Sequence, residues 1–153
     1  MSGPVLATTR GMTFVAHPLV HQVIGCGVDV HRELGPGLLE STYGRCFRIE
    51  LARQRIRFTS ELLVPIIYKG TRVENAYRID LLIEDWLVVE IKAVEQLLPV
   101  HKAQVLTYLK LSRARQGLLI NFNSPRLKDG IKSVLLRDSV PSDPSVSSTV
   151  KEE

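Results

Sequence analysis

The stretch from Arg78 to Tyr108 decides the fold, and it reads RIDLLIEDWLVVEIKAVEQLLPVHKAQVLTY. Two runs rich in apolar and β-branched residues flank a short polar turn at residues 84–85. Runs of this length and composition on either side of a polar turn are typical of β-strands. The stretch therefore predicts a β-hairpin, followed by a short connection and a helix that Pro99 is well suited to open.

Three charged side chains converge on this predicted hairpin. Because side chains alternate between the two faces of a strand, Glu90 and Lys92 share a face, and a turn centred on Asp85 places Asp80 opposite Glu90. Burying charge is costly unless the charge is paired or bound to a cation. We therefore expect a metal, a charged partner or water here. The alternative is a cross-strand ion pair facing solvent, which the apolar neighbours on both faces disfavour.

The composition is that of an ordinary globular domain with a basic balance. The chain has 153 residues, of which 44% are hydrophobic and 24% charged, and this predicts one domain with its own core. The net charge of +4 allows a polyanionic partner but does not require one. Cys26 and Cys46 stand at no metal-binding or redox spacing, which favours two buried thiols over a disulfide. Without a membrane-spanning run or a signal layout, we expect a cytoplasmic protein with no membrane partner.

The pattern along the chain predicts an α/β fold in which helices pack against a central mixed sheet, in the order α-α-β-β-β-α-β. The strand after the third helix is expected to pair in parallel, because a helical crossover precedes it. We expect residues 1–17 to form a flexible arm, residues 18–137 the domain and residues 138–153 a disordered tail. The expected helices lie at 19–34, 39–54 and 99–111. The expected strands lie at 58–68, from 71 into the hairpin, on the far side of its turn at 84–85, and at 117–122, and a last strand or short helix is expected at 130–136.

Two pairs of residues at helical spacing are further candidates. Gln104 and Tyr108 lie one turn apart, with His101 on the same side, and an amide and a phenol there are able to hold a nucleotide or a phosphate. Taken alone, an ordinary half-buried polar seam explains them better. Glu40 and Tyr43 are likewise one turn apart near a helix start, where the helix dipole favours an acid. The functional interpretation of Glu40 is a third carboxylate at a metal site.

Together these motifs resemble the GxxExxY protein family and its PD-(D/E)XK core. The resemblance covers roughly residues 20–136, and the QxxxY spacing after ExK is similar to the RecB-type branch. Its one departure is Ile79, which stands where the superfamily's motif has its least well kept residue, a proline. The matching residues are Gly37, Glu40 and Tyr43 for the first motif, Asp80, Glu90, Ile91 and Lys92 for the second, and Gln104 and Tyr108 for the third.

The resemblance implies a restriction-endonuclease-like fold and a nuclease that depends on Mg²⁺ or Mn²⁺. It implies that Asp80 and Glu90 bind the metal, with Glu40 completing the acidic cluster. By the same resemblance, Lys92 positions or polarises the attacking water. The residues assigned to substrate binding are Gln104, Tyr108, His101 and Tyr43.

The partner that follows from this interpretation is nucleic acid, with DNA favoured over RNA. One alternative is a catalytically inactive module that keeps the nuclease fold and binds nucleic acid or protein. Another is a structural or toxin–antitoxin-type partner protein, which the sequence neither supports nor excludes. A homodimer through a sheet edge or the first helix is left open, as is the choice between endonuclease and exonuclease.

Overall fold

The computed structural model of the protein describes residues 17–136, and the expected arm and tail lie outside this range apart from His17. The ring of His17 accepts a hydrogen bond from the N–H of Leu19 at 3.1 Å, so this residue caps the first helix. In chain order the elements are α1 (Pro18–Leu34), α2 (Glu40–Arg53), β1 (Phe58–Tyr68), β2 (Thr71–Ile83), β3 (Leu87–Lys92), α3 (Pro99–Ser112), β4 (Gln116–Asn121), a 3₁₀ turn (Leu127–Gly130) and β5 (Ile131–Leu135).

The strands form one mixed sheet of five strands in the order β1-β2-β3-β4-β5. Strands β1, β2 and β3 pair antiparallel, β3 and β4 pair in parallel across the α3 crossover, and β5 pairs antiparallel with β4. This arrangement confirms the predicted fold class and the predicted parallel strand. The last element, which the sequence left open, is a strand that follows a 3₁₀ turn.

The register of the β2–β3 hairpin is the one that the sequence predicts. Leu81 pairs with Val89 and Ile83 with Leu87, so the turn is centred on Asp85. Glu84 and Asp85 take left-handed φ values of 50° and 65°, which short turns between antiparallel strands require. The same register makes Asp80 and Glu90 the next facing positions of the two strands.

The sheet separates two hydrophobic cores. Helices α1 and α2 cover one face, where their buried stripes, including Val23, Phe47 and Leu51, meet Val89 and Ile91 of β3. Helix α3 covers the other face, where it packs on Val88. Because β3 is covered on both faces, a charged residue on this strand is removed from water whichever way it points.

A glycine lets α3 lie close to the sheet. A Cβ atom at Gly117 of β4 would collide with the side chain of Val105 in α3. Helix α3 therefore approaches β4 more closely than a larger residue at this position would allow, and this approach brings Gln104 and Tyr108 over β3. None of the helices within residues 17–136 is long and apolar enough to span a membrane.

Candidate active site

The two strands of the central hairpin separate where the acidic residues lie. Their ladder consists of three pairs and ends at Leu81–Val89, so Asp80 and Glu90 occupy the first positions beyond it. The N–H of Ile91 donates to Asp80 Oδ2 at 2.9 Å. A carboxylate thus takes the place of a main-chain acceptor, and this bond fixes the position of the Asp80 side chain.

Strand β2 also turns at this point. Residues two apart in a regular strand share a face, yet Leu81 packs in the α1–α2 core and Ile79 packs in the α3 core. In the neighbouring strand, Glu61 has a left-handed φ of 52° and interrupts the pairing between Ser60 and Leu62. The hairpin therefore rotates around Asp80, and its outer part turns toward α3.

Glu90 is a buried acid whose charge is only partly compensated. Its residue is 5% exposed, and its Oε1 atom has no hydrogen-bond partner among the residues that the structure describes. Its Oε2 lies 3.6 Å from the ammonium of Lys92. Burial, together with the charge of Asp80, raises the pKa of Glu90 to about 8, and Lys92 opposes this shift. A second positive charge near Glu90 would therefore be stabilising. Because Glu90 is buried, the alternative of a cross-strand ion pair that faces solvent is excluded.

The carboxyl group of Asp80 also has a raised pKa. Burial raises the pKa of its carboxyl, and the hydrogen bond from the Ile91 N–H opposes the change. The charge of Glu40 raises the pKa of Asp80 further. Two neighbouring carboxylates that both resist ionisation are stabilised when a cation binds between them.

Lys92 and Gln104 form the cationic side of the site. The Lys92 ammonium donates to Gln104 Oε1 at 3.2 Å, and the side chain of Lys92 is 15% exposed. Gln104 thereby connects α3 to the charged end of β3 and restricts where the ammonium lies. The structure brings together Asp80, Glu90, Lys92 and Gln104.

Tyr108 completes this side of the site. Its ring packs edge-to-face against Tyr77, with 5.8 Å between the ring centroids. Burial, followed by the negative charges of Glu90 and Asp80, raises the pKa of Tyr108 to about 12. The hydroxyl group therefore keeps its proton at physiological pH and is available as a hydrogen-bond donor.

Glu40 approaches the site from α2, on the other side of the sheet. Its charge raises the pKa of both Asp80 and Glu90, so it lies within electrostatic reach of them. It is nevertheless exposed, and no group of three or more His, Cys, Asp or Glu residues within positions 17–136 is arranged to hold a metal ion. Two carboxylates are therefore the supported candidate ligands, and the metal-binding role of Glu40 stays a prediction.

Two of the expected substrate contacts have structural roles. Tyr43 is fully buried; its hydroxyl donates to Gly35 O at 2.5 Å and accepts from the N–H of Leu38 at 3.1 Å. These two bonds hold the loop before α2 in place. Because no part of Tyr43 reaches the surface, its side chain has no exposed atoms with which to contact a substrate. His101 Nδ1 accepts from the N–H of Leu98 at 2.9 Å and caps α3, and a further role in binding stays a prediction.

A short segment at the end of β4 holds the site together. Asn121 is 3% exposed, and its amide accepts from the N–H of Val94 at 3.0 Å and donates to Val94 O at 2.9 Å. Asn123 Oδ1 accepts from the N–H of Gly37 at 3.0 Å. We call residues 121–123 the clamp, because it fixes the loop after Lys92 and the loop before Glu40.

Phe122 supplies the middle of the clamp. Its N–H donates to the carbonyl of Lys92 at 2.8 Å, and its ring stacks on Tyr43 with 4.8 Å between centroids. The signal in the sequence was Asn121, a polar residue that closes the apolar run Gly117–Ile120. A buried amide at the end of such a strand needs partners, and here the partners are main-chain atoms of the site.

Replacement of Asn121 with alanine is expected to lower the free energy of unfolding by about 2 kcal/mol, because the N–H and carbonyl of Val94 lose their buried partners. Amide hydrogen exchange should increase selectively in residues 93–98. The Asn123→Ala variant, which removes one exposed hydrogen bond, should cost less than half as much. Equal losses in the two variants, measured by denaturant titration, would contradict the role given to Asn121.

A comparison with known protein families identifies the superfamily of the chain. The sequence profile described as the PD-(D/E)XK nuclease superfamily matches residues 17–134. The chain belongs to the PD-(D/E)XK nuclease superfamily. The matched range includes Asp80, Glu90 and Lys92, the residues in which the sequence resembles this superfamily's motif. As a nuclease domain, the protein has nucleic acid as its expected class of partner.

Solved structures show the same fold for this PD-(D/E)XK nuclease domain. The chain is similar to one described as "Crystal structure of SSO0001", with 22% sequence identity and a TM-score of 0.52. The similarity covers 74% of this chain and 56% of that chain, so the PD-(D/E)XK domain spans little more than half of the other protein's length. At this identity the likeness shows the fold alone. No curated protein matches the sequence.

Proposed function

We propose that the protein is a metal-dependent nuclease that hydrolyses phosphodiester bonds in DNA. The observation that carries the proposal is the buried Glu90 carboxylate, which has an unpartnered oxygen beside Asp80 and an ammonium 3.6 Å away. Burial of unbalanced charge destabilises a folded protein. Buried acids with shifted pKa values are therefore concentrated at functional sites, where the charge takes part in binding or catalysis. Membership of the superfamily supports the same class of reaction.

The donor atoms suit a hard divalent cation. Mg²⁺ commonly takes one or two carboxylates and completes its shell with water and phosphate oxygens, and Mn²⁺ accepts similar ligands. Asp80 uses Oδ2 for the bond to Ile91, which leaves Oδ1 as its second oxygen, and Glu90 offers Oε1. We infer that these two residues hold the ion. When bound, such an ion lowers the pKa of water and neutralises charge on the phosphate.

The protein's own residues perform the remaining tasks. Lys92, held by Gln104, is placed to donate a hydrogen bond to the attacking water or to a phosphate oxygen, and so to stabilise the negative charge that develops. Tyr108 keeps its hydroxyl proton and is able to donate to a phosphate oxygen. Because the acids are buried among apolar residues, the local effective dielectric constant is lower than in water, and this strengthens each of these interactions.

Within the superfamily, we infer that the chain is a GxxExxY protein with a RecB-type arrangement. Gly37 has a φ of 100°, a conformation that glycine adopts without strain, and its N–H bonds to Asn123 in the clamp. Tyr43 ties the same loop to α2. These contacts give a physical reason for the glycine and the tyrosine of the motif, and they orient the helix that begins with Glu40. The cytoplasmic location stays a prediction.

A second candidate function is an inactive module that binds nucleic acid. The observation that favours it is the exposed position of Glu40, which leaves two carboxylates as candidate ligands among residues 17–136. Such a module should bind DNA in a salt-dependent way without a carboxylate-dependent metal site. Calorimetric titration with Mn²⁺ separates the two candidates, because only the nuclease should lose binding of the ion in the Asp80→Asn variant.

The direct test is a cleavage assay with Mg²⁺ or Mn²⁺ on plasmid, linear duplex, single-stranded DNA and RNA. We expect the wild type to cut DNA and the Asp80→Asn variant to lose at least about two orders of magnitude in rate, because it loses a ligand charge. The matched control is Asp85→Asn, an exposed turn residue with the same chemical change. Folded wild-type protein that cuts none of these substrates would count against the proposal, as would an Asp80→Asn variant with unchanged activity.

A further inference from the structure

The β1–β2 hairpin extends beyond the sheet that carries the site. Its ladder continues to the pair Tyr68–Thr71, whereas the β2–β3 ladder ends beside Asp80. We call residues 65–76 the ribbon. At about 3.3 Å per residue, the ribbon reaches roughly 25–30 Å from Asp80. Its base at residue 76 is therefore about 13 Å along the strand from Asp80, and its end lies a little less than one turn of a DNA duplex away.

The ribbon is exposed and carries apolar and basic residues side by side. Ile67 is 64% exposed and Tyr68 59% exposed. Ile67 faces Arg72 across the two strands, so an apolar side chain and a guanidinium share one face. At the end of the ribbon, the ammonium of Lys69 lies over the ring of Tyr68, 5.4 Å from its centroid. This mixture suits a partner that offers both negative charge and apolar surface.

Positive charge continues from the ribbon to the site. Between residues 63 and 78 the sequence has three basic residues, Lys69, Arg72 and Arg78, against one acid, Glu74. Arg72 pairs with Glu74, while Arg78 is exposed and has no acidic partner within the described part of the chain. Arg78 stands on β2, two residues before Asp80. Three basic residues thus lie along the chain between the end of the ribbon and the carboxylates.

We propose that the ribbon lies in the major groove of duplex DNA and so positions the duplex over Asp80 and Glu90. The proposal rests on the proposed nuclease function and names its substrate as double-stranded DNA. The major groove of B-form DNA is about 12 Å wide and admits a two-stranded β-ribbon, whereas the major groove of A-form RNA is too narrow for one. Lys69, Arg72 and Arg78 contact phosphates, and Ile67 and Tyr68 contact the groove.

The other candidate partner for the ribbon is a second copy of the chain, which would pair with the edge strand β1. Several features of the ribbon oppose such pairing. Strand β1 is an edge of the sheet, but Pro65 lacks the N–H that edge pairing needs. The register of β1 against β2 shifts between Val64 and Ile66, and Asn75 has a left-handed φ of 53°. Bulges and prolines at an edge are devices that oppose pairing between copies. The charge and the shape therefore favour DNA.

The test measures DNA binding without cleavage, in EDTA, by fluorescence anisotropy. The probes are a 20-base-pair DNA duplex, the same sequence as single-stranded DNA, and the matching RNA duplex. The ribbon variant is Lys69→Ala/Arg72→Ala, and the control Arg53→Ala/Lys128→Ala removes the same charge at exposed positions outside the ribbon. We expect the ribbon variant to bind the DNA duplex about ten-fold more weakly and to lower the salt-dependence slope by about 1.8, which is two phosphate contacts. The control should stay within about two-fold of wild type.

Three results would overturn the proposal. The first is a ribbon variant that binds the DNA duplex like the control, and the second is an equal loss on single-stranded DNA or duplex RNA. The third is a shift from dimer to monomer, measured by sedimentation, without a change in DNA binding. Wild-type protein that binds no nucleic acid at all would instead count against the proposed function, so the two failures are distinguishable. Circular dichroism of both variants checks that each is folded.

Discussion

Replacing Lys92 with methionine is expected to lower the rate of DNA hydrolysis by about two to four orders of magnitude, the usual range for a group that handles protons or charge in the transition state. Methionine keeps much of the apolar stem and removes the ammonium that lies 3.6 Å from Glu90 and 3.2 Å from Gln104. The loss should fall on kcat more than on KM, because the ammonium acts on charge that develops during the reaction.

The control for this prediction is Lys102→Met, which makes the same change at an exposed position of α3, two residues from Gln104. Its rate should stay within about two-fold of wild type. Gln104→Leu offers an intermediate case: it keeps the ammonium but removes the acceptor that positions it, and a loss of about ten-fold is expected. If the Lys92→Met variant keeps more than half of the wild-type kcat, the role given to the ammonium is wrong.

The second large effect concerns stability in the absence of metal. The folded protein raises the pKa of Glu90 from 4.5 to about 8, mainly through burial and the charge of Asp80. The folded form therefore binds this proton more tightly than the unfolded form does. The resulting stabilisation is fully present below about pH 4.5 and is lost as the pH rises through about 8. Between pH 5 and 9 the wild type should lose stability on the order of a few kcal/mol in EDTA.

The Glu90→Gln variant should lack this loss, because its amide does not ionise. Denaturant titrations at pH 5 and pH 9 measure the difference, and Glu95→Gln, an exposed neighbour, is the control that should follow the wild type. Addition of Mn²⁺ at pH 9 should restore stability to the wild type and to Glu95→Gln, by about 2.7 kcal/mol at 100 times the dissociation constant, but not to Glu90→Gln. The same pH dependence in wild type and Glu90→Gln would contradict the buried, ionisable state assigned to Glu90.

The sequence was sufficient for the hairpin and for the three charged residues on it. Strand alternation and a turn at Asp85 give the register, and the register gives the facing positions of Asp80 and Glu90. Each of these inferences concerns residues close together in the chain, where the geometry of a strand leaves few alternatives. The substrate-binding roles of Gln104 and Tyr108 stay predictions, although their position over β3 is now known.

Helical spacing was a weaker guide. It showed correctly that Tyr43 follows Glu40 by one turn, but spacing does not say which neighbour a helix face meets. Tyr43 faces Phe122 and the loop at Gly35, so it is buried where the sequence suggested a substrate contact. His101 similarly meets the start of its own helix. Both outcomes depend on where other elements lie.

The clamp and the turn in β2 could not be predicted from the sequence, because both depend on where other elements lie. Asn121 and Asn123 act on Val94 and Gly37, which are 27 and 86 residues away in the chain. Ile79 packs in the α3 core and Leu81 in the α1–α2 core, and no local pattern in the sequence shows that these two residues part in this way. Sequence patterns report the period of an element and leave its tertiary neighbours open.

The close spacing of Asp80, Glu90 and Lys92 along one hairpin has a consequence for how the centre is assembled. Their mutual placement needs only 13 residues of chain, so we expect it to form early in folding. Glu40, by contrast, begins a helix whose preceding loop is held by Asn123, 86 residues from Gly37. Substitutions that loosen this loop should therefore displace Glu40 before they disturb the other two acids and their amine, so that activity falls in steps.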